Sequence, residues 1–119
     1  MEQQSTSLDV ALAFTRAWTT RDMDTAAGFV ADDVIFPGPS RGAKSYLDHL
    51  TQIAGSIIDV EMIGAYGKGD RALLIYDLHT GPSDTLTCVK CLTVQGGKIV
   101  RDELTSESFR IRYESDVNA

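Results

Sequence analysis

The spacing of apolar residues predicts three helices in the first half of the chain. Apolar positions recur every three or four residues over 8–20, with Ser7 as the expected N-cap. A second, short helix begins after Asp22, and its apolar face extends to Val30. A third amphipathic helix is predicted over 42–54, because its apolar residues form one stripe.

A period of two follows from residue 57 onward and predicts strands. Glycine-rich and proline-containing turns divide this part into four consecutive runs, which is typical of an antiparallel meander. A short additional strand lies between the second and third helices. The predicted strands are 34–36, 57–66, 71–80, 85–94 and 99–113. The order of elements predicts an α+β fold, with three helices on a strongly curved, mainly antiparallel sheet that leaves room for a pocket.

Length and charge narrow the classes of function. A chain of 119 residues with 43% hydrophobic residues predicts one domain over 1–119, with frayed ends at about 1–6 and 114–119. The net charge of −6 argues against nucleic acid as a partner. The apolar runs are shorter than the roughly 20 residues that span a bilayer, so no membrane partner is expected. The polar first residues lack a signal sequence, and a cytoplasmic location is expected.

The two cysteines and the absence of familiar motifs argue against metals and cofactors. Cys88 and Cys91 are three residues apart in a predicted strand, so their side chains should point to opposite faces. Neither a disulfide nor a shared metal fits that geometry. The sequence has no phosphate-binding glycine loop, dinucleotide fingerprint, nucleophile elbow or zinc-protease motif, and only two histidines. We therefore expect no metal and no cofactor.

Three sequence segments, in their order and spacing, resemble a known family. They are 14–18 followed by Arg-Asp-Met-Asp at 21–24, Phe-Val-Ala-Asp-Asp-Val at 29–34, and Gly-Gly-Lys-Ile-Val at 96–100. Together they resemble the SnoaL-like relatives of ketosteroid isomerase in the nuclear-transport-factor-2-like superfamily. The resemblance implies a cystatin-like cone, an enclosed small-molecule pocket and a homodimer formed through the outer sheet face. It does not imply one reaction, because the superfamily hosts several.

The catalytic groups of two known branches are not matched. The alignment implied by the resemblance puts the helix-one tyrosine of ketosteroid isomerase on Phe14 and its base on Gly38. Its second oxyanion donor falls near Lys90, and the carboxylate of the SnoaL cyclases falls on Leu104. Neither steroid isomerisation nor the cyclase mechanism is therefore expected.

A charged pair in the last two strands is the first candidate site. Strand alternation in this register directs six residues inward, namely Cys88, Lys90, Leu92, Val100, Asp102 and Leu104. Lys90 and Asp102 would then face each other, and a buried ammonium and carboxylate would suit ligand anchoring or acid/base catalysis. The alternatives are that a shift in register puts both on the outer face, or that they form a structural pair near the mouth.

Asp77 and His79 are the alternative catalytic pair. They lie two apart on one strand, and a histidine held by a carboxylate can act as a general base. Leu74, Tyr76 and Leu78 form a more apolar inner face, which would put the pair outside or in a dimer interface.

The expected ligand is a small hydrophobic molecule. The candidate lining residues are Phe14, Trp18, Phe36, Tyr46, His49, Leu50, Cys88 and Leu104. The sequence favours a cofactor-independent isomerase, lyase or hydrolase acting on a hydrophobic, oxygenated substrate. The alternative is a noncatalytic module for ligand binding or dimerisation, whose pocket is degenerate.

Overall fold

The computed structural model describes residues 6–111, with side chains for residues 6–103. The predicted frayed ends therefore lie almost entirely outside the described residues. Helix α1 is Ser7–Thr19. Its N-cap is Thr6 rather than the predicted Ser7, because Thr6 and Asp9 form a reciprocal capping box. The Ser7 hydroxyl instead lies 3.0 Å from the carbonyl oxygens of Gly69 and Arg71, which ties the start of α1 to the sheet.

The second and third helices frame the first strand. Helix α2 is Met23–Ala27, and Asp22 caps it as predicted. The prediction that Val30 continues the face of this helix is wrong, since strand β1 is Val30–Ile35. It pairs in parallel with the last strand, and tertiary pairing here overrides a weak helical pattern. Helix α3 is Ala43–Ala54, within one residue of the prediction.

The remaining chain forms the predicted meander. Its strands are β2 Asp59–Lys68, β3 Arg71–His79, β4 Asp84–Gln95 and β5 Lys98–Ile111. The sheet order is β1-β5-β4-β3-β2, with every pair antiparallel except β1 with β5. The predicted α+β class is confirmed: three helices pack on a curved, unclosed, mainly antiparallel sheet of the cystatin-like type.

The core lies between the helices and one face of this sheet. Helix α1 crosses β2, β3 and β4, while α3 packs against β1. The largest fully buried side chains are Trp18, Tyr46, Tyr76, Phe14, Leu50, Leu74, Leu78, Leu92, Ile99 and Val34. Burying an apolar side chain of this size stabilises a fold by about 1.5–3 kcal/mol relative to exposure. The inner face therefore provides both the stability and the walls of a site.

A β-bulge in β5 changes which residues face the core. Val94 pairs with Ile99 and Thr93 with Arg101, so Val100 is the extra residue. The prediction that Val100 points inward is therefore wrong: Ile99 is fully buried in its place, whereas Val100 is half-buried. Because the bulge adds one residue, the inward-facing positions shift by one after it, and Asp102 is buried as the alternation predicted.

Among the described helices, none has the length and hydropathy needed to cross a membrane.

Candidate functional site

A cavity opens between α1, α3 and the inner face of the sheet. Its volume is about 90 Å³. The lining is mainly apolar and consists of Trp18, Phe36, Pro37, Tyr46, His49, Leu50, Ile53, Tyr76, Leu78, Leu86, Cys88, Lys90 and Asp102. Pro37 and His49 are exposed and form the mouth, whereas the charged residues are buried at the opposite end. We call that end the floor, formed by Tyr46, Tyr76, Lys90 and Asp102.

The floor contains a buried ion pair. The Lys90 ammonium lies 3.2 Å from Asp102 Oδ2, and the two side chains are only 11% and 3% exposed. The Tyr46 hydroxyl donates a short hydrogen bond to the same carboxylate oxygen. Helix α3 thus supplies a donor that reaches the charged residues of the sheet. The ammonium also lies 5.6 Å from the centre of the Trp18 ring, within range of a cation–π interaction.

The protonation of the floor follows from these contacts. Burial lowers the pKa of Lys90, but the oxygens of Tyr76, Asp102 and Tyr46 outweigh it, and the pKa is raised well above its ordinary value. Burial raises the pKa of Tyr46, and the neighbouring Asp102 raises it further. Burial likewise raises the pKa of Tyr76, although Lys90 acts in the opposite direction. Near neutral pH the floor therefore contains an ammonium and two neutral phenols.

The second oxygen of Asp102 is unsatisfied. Among the described residues, Oδ1 has no hydrogen-bond partner, although it is fully buried. A buried acceptor without a donor costs about 1–3 kcal/mol, and more when it is charged. Such an atom in a cavity wall is a candidate acceptor for a donor group of a ligand, or for a proton, after a small rearrangement of the side chains.

Aromatic rings hold Tyr46 in place. Phe14 stacks on its ring at a centroid distance of 5.9 Å, and Phe36 packs on it at 5.0 Å. Phe36 also stacks on His49 at 6.4 Å, next to the mouth. The prediction that Phe14 lines the cavity is wrong, since Phe14 lies behind Tyr46 and is fully buried. A helical pattern shows that a residue is buried, but it does not show which layer of the core it occupies.

The structure brings most of the other predicted residues together. Those that line the cavity are Trp18, Phe36, Tyr46, His49, Leu50, Cys88, Lys90 and Asp102. The side chain of Leu104 lies outside the described residues. Tyr76 was expected only as part of an apolar face, and its position at the floor together with Lys90 was missed. The sequence offered one signal for this role, because the hydroxyl of a buried tyrosine usually needs a hydrogen-bond partner.

Asp77 and His79 lie on the opposite face of the sheet. Tyr76 and Leu78 line the cavity, and strand alternation directs Asp77 and His79 away from it. Asp77 accepts a hydrogen bond of 2.6 Å from Thr87, and His79 Nε2 lies 3.6 Å from Glu61. Ligand atoms of Glu61, Asp77 and His79 lie within 4.8 Å of one another, so the three residue types could hold a cation. The structure does not bring Asp77 or His79 to the cavity.

Comparison with known proteins agrees with this fold. A family model described as a SnoaL-like domain matches residues 11–102. A crystal structure of a protein from Kribbella flavida is 30% identical, with a TM-score of 0.79, and the match covers 97% of this chain and 96% of that one. No curated protein matches the sequence at a significant level.

Two further solved structures share the fold at lower identity. An LEH-like epoxide hydrolase of M. tuberculosis is 20% identical, with a TM-score of 0.67, covering 94% of this chain and 90% of that one. A cystatin-fold protein from Novosphingobium aromaticivorans is 20% identical, with a TM-score of 0.74, covering 87% and 100%. The match of the family model over most of the chain, on a fold of this type, shows that the chain belongs to the SnoaL-like domain family.

Proposed function

We propose that the protein is a cofactor-independent acid–base enzyme that acts on a small, hydrophobic, oxygenated molecule. The supporting observation is the Lys90–Asp102 pair at the floor of an otherwise apolar cavity. A buried ion pair is weak evidence for stability, because apolar residues of similar volume are often as stable or more so. Its presence beside a cavity therefore favours a role toward a ligand.

In this proposal the two charged residues have different roles. Lys90 retains its proton because its pKa is raised, so it acts as a hydrogen-bond donor to a substrate oxygen and stabilises negative charge that develops there. Asp102 accepts a proton at Oδ1, while its hydrogen bond from Tyr46 fixes the orientation of the carboxylate. The proton comes from a carbon next to a carbonyl group in an isomerase or lyase, or from water in a hydrolase.

Proton exchange tests this proposal without knowledge of the substrate. Neutral ketones, esters and epoxides are incubated with the protein in deuterium oxide, and NMR follows α-proton exchange and hydrolysis. We expect turnover of at least one class, and a loss of about 100-fold or more in Asp102→Asn, as is usual for a general base. Lys44→Met, which removes an exposed lysine, is the matched control. Turnover that Asp102→Asn and Lys90→Met leave unchanged would refute the assigned roles.

The second candidate is a noncatalytic ligand-binding module with a degenerate pocket. The small volume of about 90 Å³ favours it, because pockets for drug-sized ligands usually measure about 300–1,000 Å³. Saturable ligand binding with no proton exchange and no hydrolysis across the panel would favour this candidate over the enzyme.

We also propose that two copies associate through the outer face of the sheet. Tyr66, which is 61% exposed, pairs with Leu73 on this face, and Ile75 lies two residues further along β3. These side chains form an apolar patch that a second copy would cover. Sedimentation of the protein should show a dimer that Ile75→Lys dissociates and Lys44→Met does not. A monomer at all concentrations would refute the proposal.

A further inference from the structure

The floor of the cavity has no net charge. Lys90 contributes one positive charge and Asp102 one negative charge, and the two phenols beside them are neutral. The described lining contains no other charged side chain except His49 when it is protonated, and that residue lies at the exposed mouth. An ionic head group at the floor would therefore lose its hydration without gaining a counter-charge, which is unfavourable.

The hydrogen-bonding groups at the floor fit an uncharged acceptor. The ammonium has three donors, and its ion pair with Asp102 engages one of them. The neutral phenol of Tyr76 lines the same floor and has an O–H that can donate. Donors on these two neighbouring side chains suit one carbonyl oxygen, which has two lone pairs.

The volume limits the head group further. The cavity of about 90 Å³ is smaller than the dry cavity of about 150 Å³ that is known to bind benzene. A narrow group such as a carbonyl with a methyl group therefore fits more readily than a ring. The remainder of a ligand must lie toward the mouth, along Leu78, Leu86 and Ile53.

We infer that the cavity selects uncharged ligands with a narrow, carbonyl-bearing end, and excludes carboxylates, ammonium ions and ring-shaped head groups from its floor. This inference rests on the proposed function, because it takes the cavity to be the ligand site. To that function it adds the chemical class of the substrate. The charge balance of the Lys90–Asp102 pair is then the determinant of specificity.

Trp18 provides the measurement. It is the only tryptophan of the chain, it lines the cavity and it is 1% exposed, so its fluorescence reports on occupancy. The probes are 2-hexanone, its ring-shaped counterpart cyclohexanone, hexanoate and hexylammonium. We expect 2-hexanone to bind at least about tenfold more tightly than either ion, a difference of about 1.4 kcal/mol, and more tightly than cyclohexanone. Equal or tighter binding of either ion would overturn the charge argument, and equal binding of cyclohexanone would overturn the size argument.

Charge variants test the cause of the selectivity. Asp102→Asn leaves a net positive floor and should reverse the preference toward hexanoate, whereas Lys90→Met leaves a net negative floor and should favour hexylammonium. The double variant Lys90→Met with Asp102→Leu restores neutrality, and it should again reject both ions. Lys44→Met should behave as the unmodified protein. Unchanged ion preferences in folded single variants would overturn the inference, and measurements on the unmodified protein test it even if a variant does not fold.

The outcome is separable from that of the proposed enzyme. Binding of 2-hexanone with the expected selectivity, but no proton exchange, would refute catalysis and leave the inference intact. Turnover of an anionic or cationic substrate at Asp102 would refute the inference and leave catalysis intact.

Discussion

Lys90 and Asp102 form their ion pair diagonally across two strands. The backbone register pairs Lys90 with Leu104 and Asp102 with Leu92, yet Lys90 Nζ lies 3.2 Å from Asp102 Oδ2. A long side chain can reach the diagonal neighbour, because such positions are only about 7–8 Å apart. The pair therefore depends on the register and on the bulge at Val100.

Removing the carboxylate should destabilise the fold strongly. Asp102→Asn leaves the Lys90 ammonium buried without its counter-charge, and breaking one partner of a buried pair typically costs about 3–5 kcal/mol. Urea unfolding should show a lower free energy of unfolding. The double variant Lys90→Met with Asp102→Leu should lose less than Asp102→Asn alone. Equal stability of Asp102→Asn and the unmodified protein would show that the pair is not buried as described.

Stability should fall at alkaline pH. The pKa values of Lys90, Tyr46 and Tyr76 are raised in the folded protein, so the folded chain holds these protons when the unfolded chain has lost them. Their contribution is complete below about pH 10, and it is lost as the pH rises through the folded-state values, with a slope of up to about 1.4 kcal/mol per pH unit for each group.

Urea unfolding at a series of pH values between about 8 and 11 measures this slope, because that range brackets the ordinary pKa values of a phenol and an ammonium group. Tyr46→Phe should reduce it, because one of the three raised groups is removed. Tyr66→Phe, at a position that is 61% exposed, is the matched control. A slope that Tyr46→Phe does not change would contradict the expectation.

The capping box of α1 should contribute measurably. Thr6→Ala removes the side-chain acceptor for the Asp9 N–H and should cost about 0.5–2 kcal/mol. Thr6→Ser keeps the hydroxyl and should retain most of that stability. Thermal unfolding of the two variants distinguishes them, and identical melting temperatures would show that the cap is dispensable.

Gly67 is required where α1 meets β2. A Cβ atom at this position would lie 2.9 Å from Leu8 Cβ, closer than van der Waals contact allows. Gly67→Ala should therefore destabilise the fold by about 1–3 kcal/mol, the usual cost of overpacking. Gly55→Ala, at a φ of −64° and with its nearest contact at 3.5 Å, should be neutral or stabilising. Equal effects of the two substitutions in urea unfolding would contradict this expectation.

The sequence by itself determined the elements and their order. Helical periodicity, the cap at Asp22 and the turns between strands are local signals, and the helices and the meander follow them closely. Alternation also put Lys90 and Asp102 on the inner face, where both are buried, although the register shifts on either side of them.

Tertiary structure decided what local patterns cannot specify. The parallel pairing with β5 made Val30 a strand residue, and the bulge at Val100 put Ile99 rather than Val100 in the core. Stacking order put Phe14 behind Tyr46 and out of the cavity. The Tyr46 hydroxyl reaches the ion pair, and Tyr76 lines the same cavity, only because α3 and β3 converge there. Each depends on contacts between residues far apart in the chain, which periodicity does not encode.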